Sequence, residues 1–125
     1  MLGQINAVAN VAVKDLGRAK AFYEKTLGLK EVEHMGEEVS VLKSGDTMIN
    51  VYRSDFAGTN KATSVTWAVG DKIDSFVAEL KSKGVTFEHY DMPDTRLEGD
   101  VHVFGDLRVA WFKDPDGNIL NLINQ

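Results

Sequence analysis

The sequence contains no cysteine, which excludes a disulfide, a thiolate zinc site, an iron–sulfur cluster and a cysteine nucleophile, and which suits a reducing cytoplasm. It also lacks any excess of positive charge. At a formal net charge of −5 the chain repels a phosphate backbone, so nucleic acid is not an expected partner. Long apolar runs are missing too. The stretch Met1 to Val13 has no basic leader and is too short and interrupted to span a bilayer or direct secretion, so it reads as a first strand and no membrane partner is expected. What is present is ordinary for a globular protein: 43% hydrophobic and 26% charged residues in a chain of 125, which fits one domain with one core.

Local signals then mark the elements. Ala7 to Val13 is rich in small and β-branched residues and runs into Asp15, a good helix N-cap. Leu16, Ala19, Phe22, Tyr23 and Leu27 recur at helical spacing, and Gly28 suits the left-handed position that ends a helix. Extended segments follow at Lys30–Met35, Val39–Lys43 and Met48–Arg53. After a polar linker, Ser54 to Thr63, the same order begins again. A strand at Val65–Val69 leads to a helix capped by Asp71, with Ile73, Phe76, Val77 and Leu80 on one stripe and Gly84 at its end. Strands at Val85–Tyr90, Leu107–Lys113 and Asn118–Ile123 complete it, the last two joined by Asp114-Pro115-Asp116-Gly117.

The repetition has a fixed offset, because Val13 and Val69, and likewise Gly28 and Gly84, lie 56 positions apart. Asn50 and Asn121 close the two units at a spacing of 71, so the second unit carries about fifteen extra residues, placed between Asp91 and Gly105 as a candidate lid. The expected fold class is α+β, with module one at about 5–53 and module two at about 63–125 of a single domain.

Positions 13 to 29, Val-Lys-Asp-Leu-Gly-Arg-Ala-Lys-Ala-Phe-Tyr-Glu-Lys-Thr-Leu-Gly-Leu, resemble the first strand-to-helix signature of the vicinal-oxygen-chelate superfamily, the glyoxalase, bleomycin-resistance and dioxygenase proteins. Phe112-Lys113-Asp114-Pro115-Asp116-Gly117-Asn118 is similar to the superfamily's penultimate turn. The resemblance implies two tandem βαβββ modules whose curved mixed sheets form a cleft, often in a homodimer. It also implies four metal-ligand positions. Carried over by offset from these motifs, they fall at Val8, Asn50, Ser64 and Asn121. Valine offers no lone pair, and serine and asparagine are neutral, so a divalent ion would lack the imidazole or carboxylate donors it needs. No metal and no other cofactor is expected.

Strand alternation places Asn10, Asn50, Tyr52, Ser64, Thr66 and Asn121 opposite the helix-packed faces, with Val8 beside them, as a neutral hydrogen-bonding lining. Phe56, Phe104 and Trp111 are candidates to stack on a ligand, whereas the parity of Trp67 sends it towards the second helix. Each aromatic has an ordinary alternative as core, and the amides could simply bond to one another or to water. Of His34, His89 and His102, the spacing does not favour convergence. His102, in the insertion, is the best single candidate for acid–base work, against the commoner fate of a loop histidine.

Three functions are compatible with these residues. The leading one is a metal-free cytoplasmic binder that sequesters a neutral aromatic or cationic small molecule. The second is an enzyme resembling glyoxalase or a dioxygenase, with a non-standard or absent metal and chemistry from His102, Tyr52 or Tyr90. The third is a scaffolding domain whose dimer surface is its function.

Overall fold

The computed structural model describes residues 1–125, which divide into two compact units, Met1–Thr59 and Asn60–Gln125. In the first unit, strand β1 (Ala9–Val13) turns Val11 and Val13 into the core. Asp15 then caps the helix, its Oδ1 accepting the Arg18 backbone N–H at 2.8 Å. Helix α1 (Leu16–Lys20) widens into a π-helical turn over Ala21–Thr26, and Ala19 and Tyr23, one turn apart, are fully buried. Gly28 stops it at φ +83°, a conformation that a side chain would strain. Strands β2 (Lys30–Met35), β3 (Val39–Ser44) and β4 (Thr47–Arg53) follow. The sheet order is β1-β4-β3-β2, with β1 parallel to β4 and the other pairs antiparallel.

The second unit repeats the plan. Strand β5 (Thr63–Ala68) leads through a 3₁₀ turn at Gly70–Lys72 into helix α2 (Ile73–Ser82), which ends at Gly84 with φ +93°. The two glycines 56 positions apart therefore do the same job. The remaining strands are β6 (Phe87–Glu88), β7 (Arg96–Glu98), β8 (Val101–Phe104), β9 (Leu107–Lys113) and β10 (Ile119–Ile123). Their order is β5-β10-β9-β8-β7, with β6 also on β9, and β5 runs parallel to β10 as β1 does to β4. Ile73, Val77 and Leu80 of α2 are buried in the core with Phe87, Val101, Val103, Ala110, Phe112, Leu120 and Leu122.

Four sequence expectations are corrected here. Asp71 does not cap α2: the 3₁₀ turn intervenes, and the capping position falls to Lys72 with no side-chain bond. Phe76 sits at the margin of the apolar stripe and is 39% exposed. The strand expected at Val85–Tyr90 shrinks to two residues, because β8 takes the neighbouring stretch of the β9 edge. The residues expected to form a lid at 91–105 instead supply the β7–β8 hairpin, turned at Gly99 with φ +63°.

Candidate functional site

Pairing the first strand of each unit with the last brings together the positions that the repeat relates. In the first unit Asn10 lies opposite Asn50 and Ala12 opposite Tyr52, on the sheet face away from buried Val11, Val13, Ile49 and Val51. Val8 precedes β1, is 42% exposed, and its carbonyl accepts the Asn10 side-chain amide at 3.4 Å. Phe56 is 79% exposed in the turn after β4.

In the second unit Thr66 lies opposite Asn121, and Asn121 opposite Trp111. A bulge leaves Ser64 without a cross-strand partner, so Thr63 takes the place that simple alternation gives to Ser64. The Trp111 indole N–H donates to Thr63 Oγ1 at 3.1 Å, which fixes the ring on this face. Trp67 lies on the opposite face, stacked on Phe112 at 6.4 Å. Phe104 is half-buried at the end of β8.

His102 is the main surprise. It is fully buried on β8, not a loop residue, because Val101 and Val103 build a strand that pairs with β9. The rings of Trp111, Tyr90 and His89 stand 4.9, 6.0 and 6.4 Å from its own. The Tyr90 backbone N–H donates to His102 Nε2 at 2.9 Å, so that nitrogen carries the lone pair and the neutral ring holds its proton on Nδ1. Nδ1–H finds no acceptor. The buried Tyr90 hydroxyl and Asn121 Oδ1 are also without partners. Each unsatisfied buried group costs about 1–3 kcal/mol. Three of them on residues around one indole form a polar cluster that the protein's own contacts leave unmatched. Burial pushes the Tyr90 phenol above its ordinary range, so the group stays a neutral donor.

Sequence reading did not find the partners that hold this cluster. His89 Nε2 donates to Asp100 Oδ1 at 2.7 Å, and Lys81 of α2 reaches Asp100 Oδ2 at 2.7 Å. Lys81 first, and His89 second, hold the Asp100 carboxyl below its ordinary 3.8. The ionised carboxylate therefore stabilises the fold fully above about pH 4, and that contribution fades as acid protonates the folded-state group. Replacing Asp100 with Asn should lower stability by about 1 kcal/mol at neutral pH. The gap from wild type should narrow below pH 4 in urea unfolding, and a gap that stays constant with pH would refute the assignment.

Residues 89–97 form a strap that runs from the end of β6 into β7. Tyr90 is tied to His102, and Leu97 is the cross-strand neighbour of His102. A pocket of about 330 Å³ opens in the strap, lined in part by Tyr90, Asp91, Met92 and Leu97. A second pocket, about 570 Å³, lies in the first unit beside the start of α1. There Glu31 accepts the Ser40 hydroxyl and pairs with Lys20 at 3.1 Å, and the Ser40 bond first, then Lys20, holds its carboxyl below the ordinary range.

The donor set at the superfamily's metal positions does not fit a divalent ion. Val8 supplies only a backbone carbonyl already used by Asn10, Asn50 and Asn121 are neutral, and Ser64 sits at a bulge. No group of three or more histidine, aspartate or glutamate residues is arranged to hold a metal. No helix is long and apolar enough to cross a membrane.

Two units on the βαβββ plan, the second with additional short strands and each with its first and last strands paired in parallel, define the architecture of the vicinal-oxygen-chelate proteins. The sequence profile of the Glyoxalase/Bleomycin resistance protein/Dioxygenase superfamily matches residues 4–122, and the chain belongs to that superfamily. Among solved structures, it is similar to a bleomycin resistance determinant encoded on the transposon Tn5, at 23% identity and TM-score 0.72 over 96% of this chain and 97% of that one. A fosfomycin resistance protein from Listeria monocytogenes matches at 17% identity and TM-score 0.71 over 94% and 90%. Lactoylglutathione lyase from Agrobacterium tumefaciens matches at 17% and 0.70 over 94% and 91%. At identities this low the structural overlap shows a shared fold alone.

Proposed function

We propose that this chain is a metal-free small-molecule-binding protein that sequesters its ligand, working as a cytoplasmic homodimer. The observation that carries the reading is the cluster of unmatched polar atoms around Trp111: a donor on His102 Nδ1, a hydroxyl on Tyr90 and an acceptor on Asn121. An aromatic surface with a few convergent polar groups is the usual composition of a small-molecule site. The neutral donor set supports binding without a metal. The acidic net charge favours a neutral or cationic ligand over an anion. Thr66, Trp111, Asn121 and His102 of the second unit are the contact residues of this reading, with Ser64 and Phe104 at its margins. Asn10, Asn50 and Tyr52, with Val8 and Phe56 nearby in sequence, belong to the first unit's own neutral face.

The test is a tryptophan-fluorescence titration with the compounds that the relatives name: metal-free bleomycin, fosfomycin and lactoylglutathione. Bleomycin, which is aromatic and cationic, should quench saturably and be recovered unaltered, and His102→Ala and Asn121→Ala should each weaken it about tenfold, the effect of 1.4 kcal/mol. Consumption of lactoylglutathione or fosfomycin would move the lead to the enzyme reading. Unchanged affinity in both variants would remove this face from recognition.

A further inference from the structure

The strap pocket has a charge that its neighbours do not balance. Its ionisable lining consists of His89, Tyr90, Asp91 and Arg96. His89 is bound to Asp100, and Arg96 is bound through Nε and Nη2 to Glu98 Oε1 at 3.2 and 2.9 Å. Tyr90 is neutral, its phenol raised by burial. Asp91 forms no hydrogen bond or ion pair, so the lining's one uncompensated charge is negative. Thr95 adds no free donor at the rim, because its hydroxyl donates to the Pro93 carbonyl at 3.0 Å.

The rest of the lining is apolar or aromatic. Tyr90 stands edge-to-face with Trp111, ring centroids 5.4 Å apart, and Met92 and Leu97 complete the wall. Methionine and tyrosine both make favourable contact with flat or cationic groups. A volume near 330 Å³ lies at the lower end of the range of about 300–1,000 Å³ for small-molecule pockets, enough for one ring.

We propose that the strap pocket binds a small organic cation bearing a single flat ring, with the Asp91 carboxylate as counter-ion and Tyr90, Met92 and Leu97 as its apolar walls. This rests on the reading of the chain as a small-molecule binder and names the ligand's chemical class. Specificity comes from charge as much as from shape: Arg96, the arginine of the lining, is already paired with Glu98 while Asp91 is unpaired, so an anion of the same size is disfavoured.

The test is an amide NMR titration of the full chain with benzylammonium, benzyl alcohol and benzoate. Benzylammonium should shift amides within 89–97 saturably, benzyl alcohol should bind about fivefold more weakly, and benzoate should leave them unmoved, the ratio being that of a partly exposed ion pair. Asp91→Asn, at an exposed position where folding is not at stake, should bring benzylammonium to the affinity of benzyl alcohol. Equal binding of benzoate, or an Asp91→Asn variant indistinguishable from wild type, overturns the proposal. Shifts confined to Thr66, Trp111 and Asn121 overturn it while leaving the small-molecule reading intact. Absence of shifts from all three compounds overturns it too, and the bleomycin titration then decides the broader reading separately.

Discussion

Replacing Phe112 with alanine should lower the unfolding free energy by about 3–5 kcal/mol, the range for emptying a fully buried aromatic site. Phe112 has no exposed surface, and its ring packs 5.6 Å from Phe87 and 6.4 Å from Trp67, with Leu120 directly across the strand pair. It joins three strands at once: β5 through Trp67, β6 through Phe87 and β10 through Leu120. Native domains keep only about 5–15 kcal/mol in reserve, so the alanine variant should be barely folded at 25 °C. Phe112→Leu, losing about 1.5 kcal/mol, keeps the series readable if it is not. Phe56→Ala is the control, because an exposed ring at a turn should change stability by no more than about 0.5 kcal/mol. Urea unfolding followed by tryptophan emission separates the cases, and a loss under 2 kcal/mol at Phe112 would mean the second core is not centred there.

The second large effect belongs to Asp114. Its Oδ1 accepts the backbone N–H groups of Asp116 and Asn118, both at 2.9 Å, and its Oδ2 accepts the Asn118 side-chain amide at 2.8 Å. The side chain is buried, so removing it strands several donors together. Asp114→Ala should cost about 2–4 kcal/mol, since these carboxylate bonds are charge-assisted and not additive. Asp114→Asn keeps one acceptor but turns an N–H₂ towards existing donors, and should fall between alanine and wild type. Because this turn sets the register that places Asn121 opposite Trp111, the alanine variant should also shift the emission of its folded state. A midpoint within 0.5 kcal/mol of wild type would show that the turn is held by its backbone alone.

Features that depend on neighbours in sequence are largely legible there, the Asp71 cap being the exception that a 3₁₀ turn displaces. Asp15 announced a cap, Gly28 and Gly84 announced helix ends, and Asp114-Pro115-Asp116-Gly117 announced a turn, and each does so in the structure. The β7–β8 hairpin was missed for a specific reason. Residues 91–105 fall outside the 56-position repeat and so read as an inserted lid, although Val101 and Val103 alternate between Gly99 and Gly105 in the manner of a short strand. The burial of His102 was not legible at all, because it comes from Val109 across the ladder and from the Tyr90 N–H twelve residues earlier. Thr63 was passed over because a bulge is a pairing property that alternation in one strand does not reveal.

The parallel pairing of first and last strands also orders events in time. Strand β5 has a single neighbour in its sheet, β10, so Thr63 must wait for Ile119 to be made and to arrive. Strand β1 waits only for Thr47–Arg53. Closing the longer loop adds well under 1 kcal/mol of entropy, since that cost grows only with the logarithm of length. Its kinetic weight is larger, because pairing between distant segments slows folding. As the chain leaves the ribosome, the first sheet can therefore close early, while β5 stays an unpaired, β-prone edge until Ile119–Ile123 emerges. That interval, rather than the finished structure, is when the second unit is most open to aggregation.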